Sequence, residues 1–510
     1  GKHYQLFNSK RTSNGLMVYG ALLDGEVNEN RYVYYNVYYP WEVMHGYPGV
    51  GDQITLVELQ INLKPGESKY ILLSDQVIEQ PEKAVKRIED RYGHLPLPLD
   101  YPAHPDTDNT LLSRIDYSDS ELFKYPEYLK IIDFALKDFI ANHDIVAGYP
   151  FFGAWGRDTM FFLNALLHSE NNVEMVERIL RKYSRFIQNG LIPNMLAETG
   201  RAANYDTVDA TLWYIILLYK VGKAKQQVAF YQETIHLAEE ILKAIIGNRT
   251  YPFRIREDGL IELEEEFAHA TWMDVRLNGK AVTPRNGAPV EINALWYNAI
   301  RCYEAMCKAL GKCCPDKCTA VDSIVAYAPR IEATFRKYWT GEYLADRLVG
   351  DEPVKEIRPN ALLACSLPWD LLTREQLQSV FEVASRELYT PYGIRSLSPR
   401  DFRYRKKYYG SQNERDLAYH NGSAWAWLLG PYCGVYLKIH RGHAPLEEIK
   451  KDLARFIAVF RNGFMRGHIA SVAEVWDGDN PHFPKGAPAQ AWSVAALYNI
   501  ETFIANAKES

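Results

Sequence analysis

No run of apolar residues in this chain reaches the roughly 18 that a membrane-spanning helix requires, and no charged-then-apolar leader opens it. A soluble, cytoplasmic protein is the expectation. Basic stripes are lacking too: a formal net charge of −6, with 24% charged residues, gives no electrostatic footprint for nucleic acid and points to a neutral ligand. Cysteines number only seven, an odd count in a long chain, so no disulfide framework is expected. Most of them crowd into CYEAMCKALGKCCPDKC, residues 302 to 318, whose spacings fit no standard zinc pattern. Cys302 and Cys307 fall on an amphipathic helical run, so reduced, packed thiols are expected there, ahead of a metal site or a disulfide. The acidic run LEEEF, residues 263 to 267, has no spaced loop of oxygen ligands for calcium and reads as a solvated face. Neither a metal nor a cofactor is expected. The triplets NRT and NGS are glycosylation signals only in a secreted protein.

What is present is length and periodicity. With 510 residues the chain has ample capacity for a large core. From the start to about residue 80 the pattern has period two: RYVYYNVYYP, QITLVELQINLK and KYILLSD read as strands, too few for a complete sandwich. LPLPLDYPAHPDTDNTLLSRIDYS follows and reads as a linker. The division expected is a β-rich amino-terminal domain over 1–95, a linker over 96–120 and a helical catalytic domain over 121–510.

Beyond the linker the period becomes 3.6. Leu446, Ile449, Leu453, Phe456 and Phe460, spaced three and four apart, line one apolar face. Coarse counting predicts about twelve helices, near 126–142, 156–168, 172–189, 206–222, 227–246, 290–311, 321–339, 356–366, 374–387, 421–440, 446–463 and 488–507. Loops rich in tryptophan, glycine and acidic residues lead into every second helix, while short polar turns join the others. A closed double ring, six helices inside six, places those loops at one rim around a funnel-shaped site. A helical solenoid, the alternative, would show a repeat at fixed period, and none is found.

Four stretches have the texture of a site: AWGRDTMFFLNAL (154–166), ATWMDVRLNGKAVTPRNGAPVEINALWYNA (270–299), YHNGSAWAWLLGPY (419–432) and SVAEVWDGDNPHFPKGAPAQAWSVAAL (471–497). In the first, Asp158 suits the start of a helix, where a carboxylate meets the positive end of the dipole. Alternatively, Arg157 and Asp158 form a clamp whose donors and acceptors match sugar hydroxyls.

In order along the chain, GYPFFGAWGRDT, NYDTVDATLWYI, TWMD with TPRNGAPVEINALWYNA, RPNALLA, GIRSLSP, YHNGSAWAWLLGPY and AEVWDGD with AQAWSVA resemble the blocks of glycogen debranching enzymes, the amylo-α-1,6-glucosidase family. The resemblance covers about residues 148 to 500, and the strand-rich front resembles the tail of that family's β domain. It implies a mainly α fold, an (α/α)6 toroid like that of glucoamylases and trehalases, preceded by a smaller antiparallel β domain that is incomplete. It also implies an exo-acting, inverting hydrolase that removes α-1,6-linked glucose from glycogen or another branched α-glucan. Other α-glucosidases of the same barrel, a glucan-binding protein without turnover and a phosphorylase are the rival readings. Nothing in the chain resembles the (β/α)8 domain that the family's transferase activity requires.

By this resemblance Asp274 matches the general acid and Glu474 the base. Inversion needs a protonated carboxyl beside the leaving oxygen and a carboxylate about 6.5–9.5 Å away that activates water. Trp272 and Met273 offer Asp274 apolar neighbours that favour its protonated form, and Arg276, two residues on, is expected to point elsewhere. The residues after Glu474 suggest a wet, open loop. Arg157 and Asp158 match the pair that grips the terminal glucose. Trp155, Trp425, Trp427 and Trp492 are candidates to stack on sugar faces, and Asp209 and His420 to bond hydroxyls, with Asp209 also the reserve acid.

Overall fold

The computed structural model describes residues 4–8, 18–28, 30, 32–40, 43, 49–55, 57–92, 128–141, 144–167, 172–196, 202–247, 253–311, 319–463 and 471–508. The linker stretch, the NRT triplet and Cys313, Cys314 and Cys318 lie outside the described residues. Two compact units are formed, Gly1–Leu99 with Gly410–Gln412, and Asp100–Tyr409 with Asn413–Ser510. Among the described residues no helix is long and apolar enough to cross a membrane.

The first unit is built of short antiparallel strands. Tyr4–Asn8, Tyr19–Leu23 and Ile71–Ser74 form one sheet, Val33–Tyr38 pairs with Val50–Ile54, and Glu26–Asn28 with Glu58–Gln60. The strand expected across QITLVELQINLK is therefore divided between two pairings. A small core of Ala21, Leu72 and Val85 is completed by a helix, Pro81–Tyr92, that the sequence reading did not anticipate. Pro81 suits the first helical position, where its missing N–H costs nothing. The helix is so rich in charge that its narrow apolar stripe around Val85 is hard to see in the sequence.

In the second unit the (α/α)6 expectation holds. Twelve of the described helices make two concentric rings: α1 (Tyr128–Asp138), α2 (Gly156–Leu166), α3 (Val173–Ser184), α4 (Asp209–Lys225), α5 (Val228–Ile246), α6 (Val290–Ala309), α7 (Tyr327–Phe335), α8 (Asn360–Ser366), α9 (Arg374–Glu387), α10 (Leu429–His440), α11 (Leu446–Phe456) and α12 (Ala491–Asn506). The even-numbered helices close a ring, each packing on the next and α12 returning to α2, while the odd-numbered ones lean on them from outside. Burial follows this division. On α4 every residue from Asp209 to Leu218 is buried, whereas α3 buries only Val173, Val176, Ile179, Leu180 and Tyr183, a single stripe. Each fully buried large apolar side chain contributes about 1.5–3 kcal/mol, so the inner ring dominates the stability.

Local signals set several boundaries. Thr373 and Gln376 exchange the two bonds of a capping box at the start of α9, at 3.3 and 3.0 Å. The helix expected over 321–339 is broken into Thr319–Val325 and α7, because Pro329 offers no N–H to Val325. The helix expected over 421–440 begins late, since Ala424–Trp425 is a strand paired with Val475–Trp476. The apolar face of Leu446 to Phe460 is real but is carried by two helices, α11 and Ala458–Gly463.

The loops entering the inner helices are stitched together by short strands. Gly148–Tyr149, before α2, pairs with Ala489–Gln490, before α12, closing the ring. Ala154–Trp155 pairs with Met195–Leu196, and Ala288–Pro289, before α6, pairs with Arg347–Val349, before α8. All the candidate stretches thereby reach one end of the barrel.

Candidate active site

At that end lies a pocket of about 410 Å³ whose wall contains Trp155, Arg157, Asp158, Trp272, Asp274, His420, Trp425, Glu474 and Trp492. Nine of the eleven singled-out residues thus meet in one place. The other two do not line it. Asp209 sits behind Arg157, and Trp427 lies beneath Trp272 and Trp492, stacked on the latter at 4.7 Å.

Arg157 and Asp158 occupy the first turn of α2. The chain enters that helix at Gly156, whose N–H donates to the Asn194 carbonyl at 2.7 Å. A Cβ at Gly156 would stand 2.2 Å from the Pro193 oxygen, so only glycine permits the approach. The guanidinium does not present a free fork to the pocket, contrary to the clamp reading. Its Nε donates to Asp209 at 2.8 Å, Nη1 to Asp274 at 3.1 Å, and Nη2 to Thr207 at 3.1 Å and the Thr271 carbonyl at 3.0 Å. Burial opposes its charge, but Asp209, Asp274 and Asp158 together outweigh that and hold it firmly cationic.

Asp274 therefore does have a cation beside it, though a different one from the neighbour in sequence. Arg276 is exposed on a two-strand turn, Arg276–Leu277 against Lys280–Ala281, as expected. Burial raises the Asp274 carboxyl above the ordinary aspartate value, the charge and hydrogen bond of Arg157 pull it down, and Asp209 pushes it up. The side chain keeps 31% of its surface exposed, open to the pocket.

Glu474 is not on a wet loop. It is 3% exposed, because the strand Val475–Trp476 that follows it is held between Ala424–Trp425 and Pro484–Lys485. Its two oxygens accept from the Tyr419 hydroxyl and from the Ala487 N–H, the latter at 2.9 Å. Burial raises Glu474 to about 7, against the pull of these two donors and with added repulsion from Asp274. Asp158 is likewise raised to about 7 by burial, opposed by Arg157 and reinforced by the charges of Asp274 and Glu474. It accepts from Gln490 at 3.3 Å. The charge of Asp274 thus raises both of the other carboxyls.

The aromatic wall is fixed by a buried polar chain. Trp272 donates its indole N–H to Asn360 at 2.7 Å, Asn360 donates to Asp346 at 2.8 Å, and Arg285 bridges Asp346 and Glu291. His420 stacks on Trp425 at 5.5 Å, and Arg358 holds its carbonyl at 2.7 Å. Burial, together with Arg358, Arg157 and Arg285, drives this imidazole well below the usual histidine range, so it is neutral, and its Nδ1 has no hydrogen-bond partner in the protein. Asn421 of the NGS triplet is buried and accepts from Arg358 at 3.0 Å.

Tyr419, Gln490, Phe152 and Ala147 also line the pocket and were not singled out from the sequence. Tyr419 and Gln490 lie inside recognised blocks, beside His420 and Trp492, but nothing in their spacing distinguishes them from packing residues. Cys302, Cys307, Cys365 and Cys433 are buried, and among the described residues no cluster of metal-ligating side chains occurs.

Similar proteins carry a barrel of this architecture. The chain matches, with a TM-score of 0.56, 13% identity and 95% of its length over 72% of the other's, a bacterial glucoamylase solved with acarbose. It matches with a TM-score of 0.52, 14% identity and 73% of its length over 99% of the other's, a mannosylglycerate hydrolase of Thermus thermophilus solved with glucose. At such identities these likenesses establish the fold. The barrel is of the glucoamylase-like (α/α)6 type.

The family profile for amylo-alpha-1,6-glucosidase matches residues 129–499. The chain belongs to that family. A glycogen debranching enzyme of Saccharomyces cerevisiae (strain ATCC 204508 / S288c) is 23% identical over 461 residues, covering 70% of this chain but only 30% of that protein.

Proposed function

We propose that the chain removes single α-1,6-linked glucose units from the branch stubs of glycogen-like glucans by inverting hydrolysis. The observation that carries this reading is the meeting of Asp274, Glu474 and Asp158, drawn from distant parts of the sequence, on the wall of one aromatic pocket. In this reading Asp274 protonates the leaving oxygen and Glu474 takes a proton from the attacking water. The chemistry needs one carboxyl protonated and the other ionised. Mutual repulsion favours that state, since a proton on Asp274 removes the charge that opposes ionisation of Glu474. Tyr419 and the Ala487 N–H orient the ionised base.

Arg157 acts in this scheme mainly from behind, holding Asp274, while Asp209 offsets its charge. Asp158, Gln490 and the unpartnered Nδ1 of His420 meet the hydroxyls of the terminal glucose, and Trp155, Trp272, Trp425 and Trp492 meet its apolar faces. In this reading the pocket receives a chain end, which makes the action exo. Residues 121–510 would be the catalytic domain, 96–120 a linker and 1–95 a β domain. The chain spans less than a third of its yeast relative's length, and the reading concerns the hydrolytic step alone.

Panose, isomaltose, maltose and trehalose offered in parallel test the assignment. Preferred release of glucose from the α-1,6 bond of panose and isomaltose is expected, with β-glucose as the first anomer seen by proton NMR. Dominant cleavage of maltose or trehalose, an α-anomeric product, or no turnover of any of the four would reject it.

A further inference from the structure

Beyond the aromatic floor of the catalytic pocket, between the inner helices α2, α4, α10 and α12, lies a second and larger cavity of about 1580 Å³ including its open mouth. Trp492 lines both spaces, and Trp427, stacked on it at 4.7 Å, lines only the second of the two. Four lining residues hold buried polar atoms with no hydrogen-bond partner: the indole Nε1 of Trp427 and of Trp492, Asn499 Oδ1 and Thr502 Oγ1. Unmet groups of this kind are rare in folded proteins and call for a water or a ligand.

Lys220 adds a charge. Its ammonium donates to Asn164 at 2.6 Å, and the ionisable groups that act on it are Cys302, Lys223 and Lys438, none a carboxylate. Burial pulls it down to about 8, which leaves it mainly cationic at neutral pH. Arg441 stands exposed at the edge of the same cavity. The donors thus outnumber the acceptors, and donor-rich surroundings select an acceptor-rich, anionic group. Indole faces beside them suit the apolar face of a sugar ring.

We infer that this cavity is a second ligand site, distinct from the catalytic pocket, for a hydroxylated anion of the sugar-phosphate class. Lys220 meets the anionic group, and the Trp427 and Trp492 rings with Thr502 and Asn499 shape the space for the sugar. Because Trp492 is common to both spaces, occupancy here is sensed in the catalytic pocket.

Titration calorimetry with glucose 6-phosphate, and separately with inorganic phosphate and with glucose, tests the site on the parent chain and on Lys220→Met, Thr502→Val and Asp158→Ala. Glucose 6-phosphate should bind the parent and Asp158→Ala within about twofold of each other, and Lys220→Met at least tenfold more weakly. Inorganic phosphate should bind weakly and lose that binding in Lys220→Met, which separates the anion contact from the sugar contact. Absence of saturable binding to the parent overturns the proposal, as does binding that Asp158→Ala abolishes and Lys220→Met retains. Were Lys220 merely offsetting the carboxyl-terminal dipoles of the surrounding helices, the variant would lose stability while the parent bound nothing. If Lys220→Met does not fold, Thr502→Val, nearly isosteric, decides in its place, and unchanged affinity there overturns the site.

Discussion

The different roles proposed for the two carboxyls of the pocket rest on what each touches. Asp274 shares Arg157 with Asp209 and opens to the pocket, while Glu474 is buried against Tyr419 and a backbone N–H. The roles are separable by leaving group, because fluoride departs without needing a proton. Asp274→Asn should lose about 10²–10⁴-fold in kcat on panose yet keep most of its activity on α-glucosyl fluoride, whereas Glu474→Gln should lose both. The reverse pattern, measured by initial rates on the two substrates, would exchange the assignments. Tyr419 stabilises the ionised form of Glu474, so Tyr419→Phe raises the pKa of the base. The acidic limb of the kcat/KM profile, expected near 7 in the parent, should move to higher pH, and a limb that stays in place would free Tyr419 of this role. No spacing in YHNGSAW pointed to this tyrosine, because its hydrogen-bond partner lies more than fifty residues away.

At the scale of elements, the loops matter more than the helices they join. Gly486 illustrates why: its φ is +67°, and a Cβ there would lie 2.2 Å from a Glu474 oxygen. Gly486→Ala should cost roughly 1–2 kcal/mol in backbone strain alone, and should lower kcat at least tenfold by displacing the base; unchanged turnover would show that Glu474 tolerates movement. Deeper in, Arg285 is enclosed by Asp346 and Glu291, and Arg285→Met strands two buried carboxylates. A loss of about 3–5 kcal/mol in chemical denaturation is expected. The long inner helices were legible because unbroken apolar runs such as DATLWYIILL leave few alternatives. The late start of α10 was not, since Ala424–Trp425 reads as helix until a partner strand captures it. Pro81–Tyr92 was missed for the opposite reason, a stripe too narrow to outweigh its charges.

For the whole molecule, the pocket imposes a dependence of stability on pH. Asp158 and Glu474 are each raised to about 7 in the folded chain, so between their ordinary values and 7 the native state holds more protons than the unfolded one. Stability therefore falls as pH rises through that window. Glu356 has the opposite sign: burial resists its charge, but Arg358 and Arg403 hold it at about 2, and its contribution is lost as pH falls from 4.5 toward 2. Calorimetric melting temperature should peak near pH 5 and decline on both sides, and Asp158→Asn should flatten the neutral side. A parent that melts highest at pH 7 or above would contradict the burial of these carboxyls. Activity should run the other way across the same range, because the base must ionise.

Sequence alone determined the helical periodicity, the alternation of rich loops with plain turns and the blocks that identify the family, because each is written in neighbouring residues. It also supplied Asp274, Glu474 and their aromatic companions as a set. Only the tertiary structure decided that Arg157 gives most of its donors to protein groups at the pocket wall, that Asp209 and Trp427 stand behind that wall, and that Glu474 is buried. Those outcomes rest on which loops pair across the rim and how much water the closed ring excludes, and neither is encoded in any local stretch of the chain.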